Sequence, residues 1–224
     1  MKYLRSHLIH CLGFVLSASL FHQHASAQAC RDVTPAEQQL YQKMVTAWDQ
    51  AVLPATRRDG LDGHLRNEQV TPTVSRGKPG PERPMMFCSE QRFVIDCQSN
   101  GESAMEVRAG INTPLLILSS PHSGPIPATC HKISIPGVAI AYELTWHKAG
   151  ETDHYKIILG LGRWKEDVKN YDLSSELYVH YHFNHPFPAP VIENVIVTIT
   201  AGNLEAARHL ATNIDWKTLD ALLE

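Results

Sequence analysis

The sequence feature that most constrains the fold is a long alternating segment between Val138 and Trp164. In its first arm every second residue is large and apolar, namely Val138, Ile140, Tyr142, Leu144 and Trp146. A period of two is typical of a β-strand with one buried face. A polar turn at residues 148–153 leads to a second arm that is apolar on both faces, as expected inside a sheet. The segment therefore predicts a long antiparallel hairpin at the centre of a sheet.

Two glycines of the second arm, Gly160 and Gly162, fall on the same face of the predicted strand. Glycine within a strand lets another element approach the backbone closely. We expect a helix to pack there, and a bound ligand is the alternative.

Helices are predicted on either side of the strand-forming region. Thr34 and Glu37 form a capping box with Pro35 at the first helical position, which predicts a helix to about Ala51. Asn203 is the expected N-cap of a helix through residue 214, and residue 215 is the expected N-cap of a short last helix. Strand candidates lie between them, at 92–97, 104–108, 114–118, 132–135, 176–183 and 194–200; the first three predict a meander that leads into the hairpin.

The predicted fold class is α+β: an antiparallel sheet with a long central hairpin, one N-terminal helix and two C-terminal helices packed on it. The length of 224 residues predicts a single domain, residues 28–224 once the N-terminal segment is removed. Between Pro54 and Pro84 the chain is poor in apolar residues and rich in glycine, proline and charge. A stretch of this kind predicts a mobile loop.

The N-terminal segment has the pattern of a secretory signal peptide, residues 1–27. Lys2 and Arg5 precede an apolar run from residue 8 to residue 21, and small residues end at Ala27, where we predict cleavage. The run is too short for a spanning helix, so no transmembrane segment is expected after cleavage. A lipid anchor on Cys30 is the less favoured alternative, because the residues before it fit a lipoprotein pattern poorly.

The cysteines also indicate an exported protein. Cleavage would leave four of five cysteines, and an even number in an exported chain favours two disulfides. We prefer the pairs Cys30 with Cys88 and Cys97 with Cys130, although three connectivities are possible. The chain has no Asn-x-Ser/Thr acceptor after residue 27, which is compatible with a bacterial periplasmic or secreted protein.

The charge balance argues against a nucleic-acid partner. Cleavage would remove Lys2 and Arg5, so 18 basic residues would face 23 acidic ones and the formal net charge would fall from -3 to about -5. Binding to phosphate backbones requires clustered Lys and Arg instead.

A histidine-rich segment near residue 180 is the strongest candidate for chemistry. His180 and His182 alternate on one face of the predicted strand, and two imidazoles at this spacing can reach one metal ion. His185, His147 or Glu143 would supply a third ligand for zinc or copper.

The sequence has no complete catalytic motif, phosphate-binding loop or HExxH helix. We therefore expect an exported, non-catalytic interaction domain with no cofactor, which binds another protein as an inhibitor or immunity factor does, or serves the cell envelope. Tyr178 and Tyr181 are candidate contact residues, since tyrosine is enriched at interfaces. The alternative is a metal-binding protein or metal-dependent hydrolase that uses His180 and His182.

Overall fold

The computed structural model describes residues 30–75, 87–100, 102–119, 129–146, 154–165, 177–181, 183–184 and 190–223. Their helices are α1 (Pro35–Ala51), α2 (Leu204–Asn213) and α3 (Trp216–Asp220), with short 3-10 helices at Ala55–Arg57 and Glu90–Phe93. Their strands are β1 (Cys30–Asp32), β2 (Asp62–Leu65), β3 (Thr73–Ser75), β4 (Val94–Ser99), β5 (Glu102–Ile111), β6 (Leu115–Ser119), β7 (Thr129–Ile133), β8 (Ile140–Trp146), β9 (His154–Leu161), β10 (Trp164–Lys165), β11 (Leu177–Tyr181) and β12 (Val195–Ala201).

A seven-stranded antiparallel sheet, ordered β2-β4-β5-β12-β9-β8-β7, forms the centre of the molecule. The predicted hairpin is present as β8 and β9, with Ile140 opposite Gly160 and Trp146 opposite His154. β9 lies inside the sheet between β12 and β8, as its composition predicted. The α+β class is therefore confirmed, with one helix near the N-terminus and two at the C-terminus.

Both faces of this main sheet are covered in the region of the hairpin. The helices lie on one face, where Ala141 joins the larger apolar core. A second sheet of three strands, ordered β10-β11-β6, lies on the other face, where Ile140, Tyr142 and Leu144 pack with Val179 of β11. The prediction of a single buried face for β8 is therefore wrong. The predicted three-stranded meander is also wrong, because β6 does not continue the main sheet after β5 but pairs with β11 in the second sheet.

Helix α1 begins as the capping box predicts. The backbone N–H of Glu37 donates to the Thr34 hydroxyl, and the Glu37 carboxylate accepts the Thr34 N–H. The same carboxylate accepts two bonds from the Arg31 guanidinium, at 2.6 and 2.8 Å. Because the Glu37 side chain is only 4% exposed, this bidentate pair fixes the start of the helix against β1.

The segment from Pro54 to Pro84 contains regular structure in its described part, residues 54–75. Pro54 precedes a 3-10 helix, β2 pairs with β4, and β3 pairs with β1. These residues are therefore not structureless, contrary to what their composition indicated, but their mobility stays a prediction; residues 76–84 lie outside the described ranges. The predicted signal peptide, residues 1–27, also lies outside them and remains a prediction.

One of the two predicted disulfides is present. Cys30 and Cys88 are bonded and join β1 to the segment before β4. The second prediction is wrong, because Cys97 and Cys130 are free thiols. They lie on β4 and β7, five strand spacings apart in the main sheet, or about 24 Å. Cys97 also packs in the helix-side core, whereas Cys130 packs on the opposite face.

Candidate binding cavity

The predicted metal site falls largely outside the described structure. His182 and His185 are not among the described residues, and nothing is described of the side chains of Tyr178 and His180. In the described ranges no group of three or more His, Cys, Asp or Glu side chains could hold a metal ion. The metal hypothesis for His180, His182 and His185 therefore remains a prediction.

Glu143 is wrong as a third ligand for that site. Its side chain lies on the helix side of the main sheet, 4% exposed, where its two oxygens accept bonds from Arg208 of α2 at 2.7 and 2.9 Å. The strand that carries His180 lies across the opposite face. The other proposed third ligand, His147, is outside the described ranges.

A cavity of about 510 Å³ opens where the two sheets and the end of the chain meet. Its walls come from the turn before β8 (residues 137–139), the end of β9 and the two residues after it (161–163), Tyr181, Glu193, and the C-terminal residues Asp220 and Leu223. Volumes of roughly 300–1,000 Å³ are typical of small-molecule sites. We call it the Gly162 cavity, after the residue at the bend of its wall.

Glu193 forms part of the wall of the Gly162 cavity, although the residue as a whole is only 1% exposed. Its carboxylate oxygen Oε2 accepts the backbone N–H of Asn184 at 2.7 Å, and its backbone oxygen accepts the Tyr181 hydroxyl at 2.7 Å. Its backbone N–H donates to Asn112 Oδ1 at 2.9 Å. A buried carboxylate costs stability unless it is bonded in this manner, so the network fixes Glu193 in one orientation.

Two buried asparagines extend this network. Asn112, with φ 53°, donates from its side chain to the Val191 backbone oxygen at 2.8 Å. Asn194 accepts the Thr113 N–H at 2.8 Å and donates to the Thr113 oxygen at 3.1 Å. The connection between β5 and β6 is thereby bound to the segment that leads into β12. The network therefore links the two sheets at the edge of the cavity.

Gly162 is required by the geometry of this wall. Its φ is +103°, and a Cβ there would lie 2.5 Å from the Glu193 backbone oxygen. At Gly160 a Cβ would meet Ile140 and the Trp164 indole, which donates to the Leu161 oxygen at 3.0 Å. The prediction that a helix packs on these glycines is therefore wrong. The neighbouring elements are the second sheet and the segment before β12.

Tyr181, a predicted contact residue, is 6% exposed and lies between two charges. Burial raises the pKa of its phenol most; the Arg163 N–H, which donates to the hydroxyl at 3.4 Å, lowers it. The Glu193 charge raises this pKa further and the Arg163 charge lowers it. Both charged groups therefore act on the phenol, which lines the cavity. The ring packs edge-on against Trp164, with centroids 4.9 Å apart.

We did not predict Glu193, Asn112 or Asn194 as site residues from the sequence. The available signal was the Glu-Asn pair at 193–194, which interrupts the apolar run from Val191 to Val197. Charged and amide residues inside such a run must find buried partners, and here the partners are Asn112 and Thr113.

A second surface groove, of about 740 Å³, lies between β5 and α2 and holds an ion pair of His209 Nε2 with Asp59 Oδ2 at 2.7 Å. Both side chains are more than half exposed. Exposed pairs of this kind contribute little energy and are common on surfaces. The groove is therefore a weaker candidate than the Gly162 cavity.

Comparison of the chain with protein-family models, with curated proteins and with solved structures found no match. In the described part of the chain, no helix is long and apolar enough to cross a membrane. The fold and the Gly162 cavity are thus the features that bear on function.

Proposed function

We propose that this protein is an exported, non-catalytic binding protein that holds a small ligand in the Gly162 cavity. The observation that carries the proposal is the concentration of buried polar groups in and behind the cavity wall. Three of the nine buried polar residues in the described ranges are Asn112, Glu193 and Asn194. Buried polar groups are costly, and departures from an apolar core are expected at functional sites.

The backbone supports the same assignment. Six described residues have positive φ, and Asn112, Gly137 and Gly162 belong to the cavity or its network. Unusual backbone conformations cluster at binding sites, where the surrounding structure holds them. A wall fixed in this way is preorganised, which lowers the conformational entropy lost when a ligand binds.

Glu193 fits a binding role as a fixed part of the wall. The residue is 1% exposed and its carboxylate accepts the Asn184 N–H, so the chain itself holds it in position. Export is supported by the Cys30–Cys88 disulfide, because such bonds persist in oxidising compartments.

The test compares ligand capture by the purified mature protein and by two tryptophan variants. Ala139 is exposed and lines the cavity, so Ala139→Trp blocks the mouth; Ser134→Trp adds the same side chain at an exposed position outside the cavity. Each protein is incubated with the small-molecule fraction of a periplasmic extract and measured by native mass spectrometry.

We expect a bound species of defined mass with the wild type and with Ser134→Trp, but not with Ala139→Trp. No bound species with any protein, or equal binding by all three, would overturn the proposal.

Two expectations from the sequence remain predictions. Another protein as partner would be detected by cross-linking from position 163 in living cells. Zinc or copper held by His180 and His182 would be detected by elemental analysis of the mature protein before and after His180→Ala.

A further inference from the structure

The mouth of the Gly162 cavity carries two opposite charges that do not pair with each other. Arg163 and Asp220 both line the cavity and are both exposed. Within the described residues, neither side chain forms an ion pair or a hydrogen bond. A cation and an anion that line one cavity without pairing can each bind a group of opposite charge on the same ligand.

We infer that the ligand is a small zwitterion that carries a carboxylate and a primary ammonium group, as an amino acid does. Its carboxylate binds Arg163, whose guanidinium matches carboxylates in a bidentate geometry. Its ammonium group binds Asp220. This inference rests on the proposed function of the cavity and adds the chemical class of the ligand.

The rest of the lining fits the body of such a molecule. Val138, Leu161 and Leu223 supply an apolar wall beside the two charges. Tyr181 lines the same cavity and adds an aromatic side chain to its wall. A fully apolar ligand would leave both charges unused, and a ligand with one charge would leave one of them unpaired.

The experiment measures affinity by isothermal titration calorimetry with a set of named probes. The zwitterions are L-leucine, γ-aminobutyrate and 6-aminohexanoate, which separate the two charges by increasing lengths. For leucine the matched controls are 3-methylbutylamine, which lacks the carboxylate, and 4-methylpentanoate, which lacks the ammonium group. We expect at least one zwitterion to bind, and single-charge analogues of it to bind about tenfold or more weakly.

Two variants assign the charges. Arg163→Met should weaken binding of the zwitterion about tenfold and leave binding of the amine analogue unchanged. Asp220→Asn should also weaken binding of the zwitterion about tenfold, but it should leave binding of the carboxylate analogue unchanged. Both residues are exposed, so the fold should tolerate these changes, and urea denaturation checks this. Equal effects of both variants on all probes would overturn the assignment.

The two proposals fail separately. If no zwitterion binds, but the extract still yields a bound species that Ala139→Trp removes, the ligand class is wrong and the binding function stands. If neither the probes nor the extract yields a bound species, both are wrong.

Discussion

Glu37 gives the sharpest prediction about stability. Its hydrogen bonds from Arg31 are the main cause that lowers the pKa of this carboxyl from 4.5 to about 2, with burial opposing and the Thr34 bonds assisting. A shift of this size corresponds to about 3 kcal/mol of stabilisation of the folded state. The Arg31 side chain is 33% exposed, and screening by solvent reduces the expected value to about 2 kcal/mol.

The sign follows from the direction of the shift. Because the folded-state pKa is lower than the unfolded one, the contribution is fully present above the unfolded value of 4.5 and is lost as the pH falls towards 2. Glu37→Gln keeps the size and a capping oxygen but removes the charge. We expect this variant to be about 2 kcal/mol less stable than the wild type at pH 7, and the difference to shrink towards zero near pH 2.

Urea denaturation with the Cys30–Cys88 disulfide intact measures the free energy of unfolding across this range. The matched control is Glu205→Gln, an exposed glutamate in the first turn of α2, which should change the stability by less than about 0.5 kcal/mol at any pH. A loss for Glu37→Gln that stays constant between pH 7 and pH 2 would refute the role of the ion pair. So would a loss no larger than that of the control.

Three further predictions concern the wall, the sheet and the free thiols. Gly162→Ala should cost at least about 3 kcal/mol in urea denaturation, because the new Cβ meets a backbone oxygen, whereas Gly60→Ala has open space and should cost about 1 kcal/mol; similar losses would contradict this. Arg208→Met should cost about 2 kcal/mol by leaving the buried Glu143 unpaired, and Glu143→Gln in addition should recover part of it, which a double-mutant cycle measures. Burial raises the pKa of the Cys97 thiol to about 12, so a thiol reagent should label it only after unfolding; peptide mapping separates it from the half-buried free thiol of Cys130, and labelling of Cys97 in the native protein would contradict the prediction.

The sequence predicted those elements whose signals are local. The alternation through β8 and the capping box at Thr34 depend on residues a few positions apart, and both are confirmed. The start of α1 agrees with the prediction because proline at its first position and Glu37 at its third define where the helix begins.

The incorrect predictions concern pairings between distant segments. β3 and β2 are three and four residues long, and each pairs with a strand at least thirty residues away, so composition alone indicated a loop. The spacing of Cys97 and Cys130 does not reveal that β4 and β7 lie five strand spacings apart. The second sheet was missed for the same reason, since the whole β8–β9 hairpin lies between β6 and β11 in the sequence.

The cavity network could be anticipated only in part. The Glu-Asn pair before β12 indicated buried polar contacts, but the partners at Asn112 and Thr113 come from a connection about eighty residues earlier. Tyr181 was predicted only as a contact residue for a partner. The structure buries it, with its hydroxyl bonded to the Glu193 backbone oxygen.

The position of β12 has a consequence for how the chain reaches its folded state. β12 is the last strand in the sequence, yet it lies in the middle of the main sheet and hydrogen-bonds to β5 on one side and β9 on the other. The earlier strands of this sheet fall into two three-stranded groups, β2-β4-β5 and β7-β8-β9, which cannot join until residues 195–201 have left the ribosome. The main sheet therefore stays in two parts while the chain is being synthesised, and the core closes only when its C-terminal part arrives.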